Sequence, residues 1–516
     1  MGKRTRTEYS YLNIIAGVGG YSISIILSLI NRMIFTRTLP SSYLGLNGLF
    51  GNILSMLTLA ELGIGGAIVY ALYKPLAEDN TAKIAALVKL FGRAYRIIGC
   101  VIGVAGLCLM PFLKMIIGEH PDISDNLYII FAMFLFSTAS SYFFSYRSTL
   151  LTAAQQNYYN TGLNYLIISI QAIVQAVYLI ITKDYIGYLI IQIIGNLLYY
   201  ILISQIAVKK FPYIKDKNIQ PLAKEEEKSI FKNVRDLMIY KVSGVLVNGT
   251  DNIIITYFSG LVVTGVSSNY TLLVNTLTTL LNQIFDGVTA SLGNLNAVET
   301  KDKRFSILNM MSLLNFWLFG WGAIGIIFVS DDMVTLLFGS GYVLDMKIPI
   351  VLALNFYTVG MMNAIWNFKH TMGMFRYGRF VQFGTALCNL VFSLILGYFW
   401  GLFGVLFATF LSRAITNLWY DPYVVYKHGF GKNPLVYLKK YLNFAGILLG
   451  TICVCGIICR MVNYGIFVNV IIKCVVCTLI PNVIFYIIFR KYNEFMIIKN
   501  IVHNGIVIIK NKLAKK

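Results

Sequence analysis

Asn31-Arg32-Met33-Ile34-Phe35-Thr36-Arg37-Thr38-Leu39-Pro40-Ser41-Ser42-Tyr43-Leu44-Gly45-Leu46-Asn47 is the stretch whose reading decides the fold. Here two long apolar segments meet, inside a region running from Asn13 to Tyr73, and the link from Thr36 to Ser42 joins them. Each segment is long enough to cross a bilayer, which takes roughly 20 apolar residues as a helix. Yet Arg32 lies inside the first and Glu61 inside the second. An ionisable group in hydrocarbon costs at least ~2.5–3.5 kcal/mol, so it normally faces a wet interior. Helical spacing agrees: Gly17, Gly20, Ser24, Ser28, Asn31 and Arg32 share one stripe of the first helix. Asn47, Gly51, Ser55, Thr58, Glu61 and Gly65 share one stripe of the second. The pair reads as one wall of a solvated cavity.

The rest of the chain has the same character. Of 516 residues, 57% are hydrophobic and only 13% charged, and mean hydropathy is +0.70. Such values exclude a soluble domain of this size and indicate an all-α polytopic membrane protein. A transmembrane barrel would show short alternating segments instead. About fourteen spans are expected, near 10–35, 44–72, 87–110, 126–150, 160–181, 185–207, 235–258, 264–292, 305–329, 348–370, 379–399, 401–421, 441–460 and 466–489. The basic start, Met1 to Tyr9, runs directly into the first span, so no removed signal peptide is expected.

The net charge of +21 does not point to nucleic acid, because its distribution follows topology. Lysines and arginines crowd alternate loops, such as Lys74 to Arg96, Lys209 to Lys241 and Lys427 to Lys440. The intervening loops carry Glu119, Asp122, Asp125, Asp331, Asp332 and Asp345. By the positive-inside rule both termini are cytoplasmic.

Charge also marks the divisions. Residues 1–208 hold six spans, 209–235 form a polar cytoplasmic linker, and 236–425 hold six more. Two accessory spans occupy 426–489, and 490–516 reads as an amphipathic tail on the inner membrane surface. The second half restarts the first without a gap: Asn31-Arg32 lines up with Asp251-Asn252, Gly45 with Gly265, and Leu57-Thr58 with Leu277-Thr278. Polar stripes recur with Lys241, Asn248, Asp251 and Asn252 on the seventh span, then Asn275, Thr279, Asn282 and Asp286 on the eighth. Parallel repeats of this kind usually face each other across a midplane site and rock to give alternating access. Coincidental polar residues packing helix to helix are the plainer reading of the same pattern.

Other ionisable residues divide by depth. Arg147 and Lys369 lie near cytoplasmic ends and Lys473 on an outer half-span, where a long side chain snorkels to water. Arg413 lies deeper and is assigned to the cavity. Cys474 and Cys477 have metal-ligand spacing but no histidine nearby, and the four histidines are scattered, so no metal and no cofactor are expected. No Walker A motif occurs, and the glycine clusters Gly17 to Gly20 and Gly63 to Gly66 sit within membrane helices. Sizeable outer loops bearing catalytic acids are lacking. A transporter, not an enzyme, is the economical reading.

Residues Asn31-Arg32, Thr38 to Phe50 and Ala60-Glu61-Leu62-Gly63-Ile64-Gly65-Gly66-Ala67 resemble the bacterial polysaccharide flippases. Those belong to the multidrug/oligosaccharidyl-lipid/polysaccharide exporter superfamily. The motif likeness covers roughly Tyr9 to Asn80; elsewhere it rests on span count and the six-plus-six-plus-two layout. It implies two six-helix lobes around a central cavity, with two extra C-terminal helices offering a groove for a lipid tail. It further implies a polyprenyl-pyrophosphate-linked oligosaccharide carried to the outer leaflet of the bacterial cytoplasmic membrane, with glycosyltransferases and a polymerase as pathway neighbours. A monomer surrounded by membrane lipid is expected. Arg32 falls where related lipid II flippases have an arginine facing the pyrophosphate, whereas the eighth span offers Asp286 in place of an arginine.

The chemistry of such a cargo suits the same residues. Sugars and pyrophosphate cannot cross hydrocarbon unaided, since each unpaired polar group costs several kcal/mol. Arg32 and Arg413 would receive phosphate, with Asn31, Asn47, Asn248 and Asn252 for hydroxyls. Glu61, Asp251 and Asp286 would pair with these cations or bind a coupling ion. An inside-negative potential favours outward movement of about two negative charges by roughly 2.3 kcal/mol per charge per 100 mV. The alternatives are a cation/drug antiporter of the same fold, which would use those carboxylates, a lipid II flippase, and a membrane enzyme of glycan assembly.

Overall fold

The computed structural model describes residues 6–58, 71–76, 78–117, 123–216, 250–298, 300–372 and 379–500, with a few single positions between them. Its long helices are α1 (Arg6–Thr38), α2 (Ser41–Leu57), α3 (Thr81–Leu109), α4 (Leu127–Ser145), α5 (Tyr158–Thr182) and α6 (Tyr185–Lys210). They continue with α7 (Asp251–Val298), α8 (Lys301–Phe338), α9 (Lys347–Thr371), α10 (Arg379–Ile415), α11 (Leu435–Arg460) and α12 (Ile466–Phe489). No strand occurs among the described residues. Among the described residues, eleven helical stretches are long and apolar enough to cross a membrane. The chain is a multi-pass, all-helical membrane protein.

Two of these helices reverse direction at a glycine within their length. α7 reverses at Gly260 (φ 84°, ψ 165°) and α10 at Gly401 (φ 54°, ψ −133°). Only glycine enters that backbone region readily, so one residue suffices to turn the chain. The buried hydroxyls of Thr256 and Thr264 bridge the first turn at 2.9 Å. The second is closed by Gly404 lying against the Leu396 carbonyl. With those glycines separating spans, and α2 included, each of the fourteen expected spans meets a described helical segment, the seventh through residues 251–259.

Side-chain caps fix where other helices begin. The Asn80 side chain accepts from the Lys83 amide, and Asn126 from Tyr128. Asp184 accepts from both Ile186 and Gly187 at the start of α6. Each satisfies an amide that would otherwise lack a partner near the membrane.

Contacts divide the chain into two compact units, residues 1–265 and 266–516. In the first, α1 packs along α5, α5 against α6, and α4 against α3 and α6. Small residues allow the close approaches: Gly20 faces the Tyr165 ring, Gly99 the Ala139 carbonyl, and Gly106 the Leu135 side chain. Phe50 of α2 inserts edge-on against Phe131 at 5.1 Å between ring centres. α2 also crosses the start of α7, with Gly45 against the Leu261 carbonyl and Gly265 against that of Ser41. Ile97, Val101 and Val104 on α3, and Ile170, Val174 and Val177 on α5, are exposed where acyl chains would meet them.

In the second unit α8 is the central helix, packed by α9, α11 and α12. Phe316 stacks on Phe444 at 4.5 Å and meets Phe485 at 4.8 Å. Trp317 donates to Asn482 Oδ1 at 2.6 Å. On α12 the Lys473 ammonium pairs with Asp332 of α8 at 2.5 Å, which offsets the cost of holding either charge near the lipid.

Candidate functional site

The polar groups of the first unit gather where α1, α2, α5 and α6 approach one another. Asn31 is buried on α1 and donates to Gln175 Oε1 at 3.2 Å and to the Tyr188 hydroxyl at 3.3 Å. Gln175 in turn donates to the Tyr188 carbonyl at 3.1 Å, and Gln171 to Gln175 at 3.4 Å. The Asn31 Oδ1 atom is buried without a hydrogen-bond partner among the described residues. An orphaned acceptor of this kind is costly unless a water or a hydroxyl supplies a proton.

Next along α1, Arg32 is half-buried, one residue beyond the Asn31 that donates to the Tyr188 hydroxyl. Asn47 on α2 is also half-buried and accepts from the Tyr185 hydroxyl at 2.7 Å. Aromatic rings hold this arrangement: Phe35 meets Tyr188 edge-on at 5.2 Å, and Tyr43 lies 4.4 Å from Tyr185. Tyr43 then donates to Asp125 at 2.6 Å. The result is a guanidinium flanked by neutral donors and acceptors whose positions are fixed by packing. Asn252, at the start of α7, comes close to Gly48 of α2. Asp251, its half-buried neighbour, is the first residue of α7.

A second polar run occupies the other unit. Asn363 of α9 donates to Asn282 at 3.0 Å, and Asn367 donates to Asn363 at 2.9 Å. One turn away, Asp421 is fully buried and receives two donors, Lys369 at 2.5 Å and the Trp366 indole at 2.9 Å. Lys369 therefore does not snorkel. It turns inward because a desolvated carboxylate is waiting and the indole satisfies the second oxygen. Arg147 in the first unit also turns inward, donating to Ser204 at 2.9 Å and lying over the Tyr146 ring. Arg413 is half-buried in the last turn of α10.

The sequence matches no family model, and no curated protein matches it. Solved structures do. The lipid II flippase MurJ, in an inward closed conformation, aligns with a TM-score of 0.66 at 16% identity, over 92% of this chain and 99% of that one. An inward-facing multidrug resistance MATE family transporter of the MOP superfamily aligns at 0.55 and 13% identity, over 77% and 93%. The chain shares the backbone fold of these two structures. At these identities the likeness is one of backbone architecture.

Within this fold, the expected site residues fall into three sets. Asn31, Arg32 and Asn47 are brought together in the first unit by Tyr185 and Tyr188. Asn252 comes close to Gly48, beside Asn47, while Asp251 and Arg413 are half-buried on α7 and α10. Glu61 and Asn248, with the side chain of Asp286, lie outside the described residues. Sequence reading passed over Tyr185, Tyr188, Asn363, Trp366 and Asp421. The four-residue spacing of Asn363 and Asn367, with Lys369 on the same span, was the available signal. Among the described residues no group of His, Cys, Asp and Glu is placed to hold a metal.

Proposed function

We propose that this chain is a flippase that carries a polyprenyl-pyrophosphate-linked oligosaccharide from the inner to the outer leaflet of a bacterial cytoplasmic membrane by alternating access. Both termini would be cytoplasmic. The observation that carries the reading is Arg32, a half-buried guanidinium on a membrane helix, beside the hydrogen-bonded set of Asn31, Gln175 and Tyr188. A permanent cation held in that setting is matched to a phosphate, which guanidinium grips through paired hydrogen bonds. Asn47 and Tyr185 offer neutral partners of the kind that sugar hydroxyls need. The chain's carboxylates, Asp251, Asp286 and Glu61, would bind a coupling ion or balance the arginines.

Lipid II is the second reading for the cargo, favoured by the MurJ likeness over nearly the whole chain. A drug antiporter is favoured by the MATE likeness, and membrane arginines speak against it, since a cationic drug would be repelled.

Reconstituted vesicles loaded with a fluorescent polyprenyl-pyrophosphate glycan test the proposal. Arg32→Ala should abolish delivery to the opposite leaflet while insertion stays normal, and Arg32→Lys should restore only part of it. Undiminished transport by Arg32→Ala would remove the phosphate role. Dye efflux that survives the same substitution would point to the antiporter.

A further inference from the structure

α11 begins at a membrane edge, and its first turns carry two kinds of residue on one side. Together with α8 and the end of α12 they enclose a pocket of about 510 Å³. Its floor is apolar, made by Leu313, Phe444, Ile447 and Phe489. In a bilayer such a floor, open to the lipid side, is filled by hydrocarbon.

The rim is different. Lys440 is fully engaged: its ammonium donates to the Asn309 carbonyl and side chain, both at 3.3 Å, and pairs with Glu494 at 3.2 Å. That charge is balanced and serves to tie α8, α11 and the chain after α12 together. Lys439, the next residue, is exposed on the rim and has no partner among the described residues. The Asn443 side chain also lines the rim, and Asn309, whose oxygen is taken by Lys440, has its amide protons left to donate. Two lysines and two amide donors thus stand above an apolar floor, against one carboxylate, Glu494, among the described lining residues. The net positive charge left on the rim favours an anionic phosphodiester over a zwitterionic head.

We propose that this pocket binds one anionic membrane phospholipid of the phosphatidylglycerol type. Its phosphate rests against Lys439 and the amides of Asn443 and Asn309, and an acyl chain lies along Val436 and Ile447. The site is separate from the Arg32 cluster and does not depend on which cargo is carried.

The test is lipid binding by the purified full-length protein in neutral detergent, read by native mass spectrometry and by thermal melting. Phosphatidylglycerol should bind once per chain, saturably, and at least fivefold tighter than phosphatidylcholine. Lys439→Glu should weaken it at least fivefold, Asn443→Leu should weaken it in the same direction, and Lys209→Glu, an exposed lysine in the other unit, should not. Equal binding of phosphatidylcholine, an unchanged affinity in both pocket variants, or an equal loss in Lys209→Glu would overturn the proposal. So would displacement by inorganic phosphate alone. A polyprenyl phosphate that displaces phosphatidylglycerol at equal or lower concentration would give the pocket to the carrier lipid instead, which also overturns it.

Discussion

Gly265 stands so near Gly45 that a Cβ added to it would sit 2.8 Å from the Gly45 amide nitrogen. The contact is reciprocal. Gly45 lies against Leu261 four residues before Gly265, and Gly265 lies against Ser41 four residues before Gly45. Both pairs keep the register in which the second half of the sequence restarts the first. Side chains are excluded at the centre of this crossing because backbone meets backbone.

Bulk at that centre has a clear cost. Gly45→Val and Gly265→Val should each destabilise the first unit by about 1–3 kcal/mol, the usual range for overpacking. Gly51→Ala, on the same helix with open space around it, should be nearly neutral. Thermal melting in detergent compares the three, and equal melting temperatures would contradict the crossing.

The Lys369–Asp421 pair makes a sharper prediction. Lys369→Met leaves a fully buried carboxylate with only the Trp366 indole, and Asp421→Leu leaves a buried ammonium. Either change should cost about 3–5 kcal/mol, whereas the double variant should recover much of the loss. Expression level and melting temperature of the four proteins close the cycle. Additive losses would mean the two charges act independently.

Asn31 and Asn47 should respond differently to loss of their amides. Asn31→Leu removes the donor to Gln175 and Tyr188 in a buried setting and should cost about 1–3 kcal/mol. Asn47→Ala removes one bond from a half-buried site and should cost about 0.5–1.5 kcal/mol. Chemical denaturation of the two variants measures the difference. If Asn47→Ala proved the more damaging, the network around Tyr188 would not be what anchors α1 to α5.

Gly260→Ala places a side chain at φ 84° and ψ 165°, which only glycine adopts readily. A loss of about 1–3 kcal/mol is expected. Gly19→Ala, in open space on α1, should be neutral or slightly stabilising. Melting of both variants checks the assignment of the turn between the seventh and eighth spans.

Much of the architecture was legible because a membrane enforces a simple rule: long apolar runs, interrupted where the chain leaves the lipid. The break at Leu39-Pro40 falls within the expected link from Thr36 to Ser42. The reversals at Gly260 and Gly401 were harder, since a single glycine in an apolar run looks the same whether it packs a helix or ends one. Arg32 stood out as a charge in hydrocarbon, but nothing local shows that its neighbour Asn31 bonds Tyr188, more than 150 residues away. Likewise Asp421, in the run Trp419-Tyr420-Asp421-Pro422, reads as the polar end of a span. Only the folded chain brings it to Lys369.

The turn at Gly401 leaves the two spans of α10 without slack. Gly404 rests on the Leu396 carbonyl, so the outgoing segment cannot slide against the incoming one. A tilt of residues 379–400 is therefore handed to residues 402–415 as by a stiff lever with no backlash. Arg413, about 18 Å down the outgoing segment at 1.5 Å per residue, would sweep through an arc each time its partner span moved.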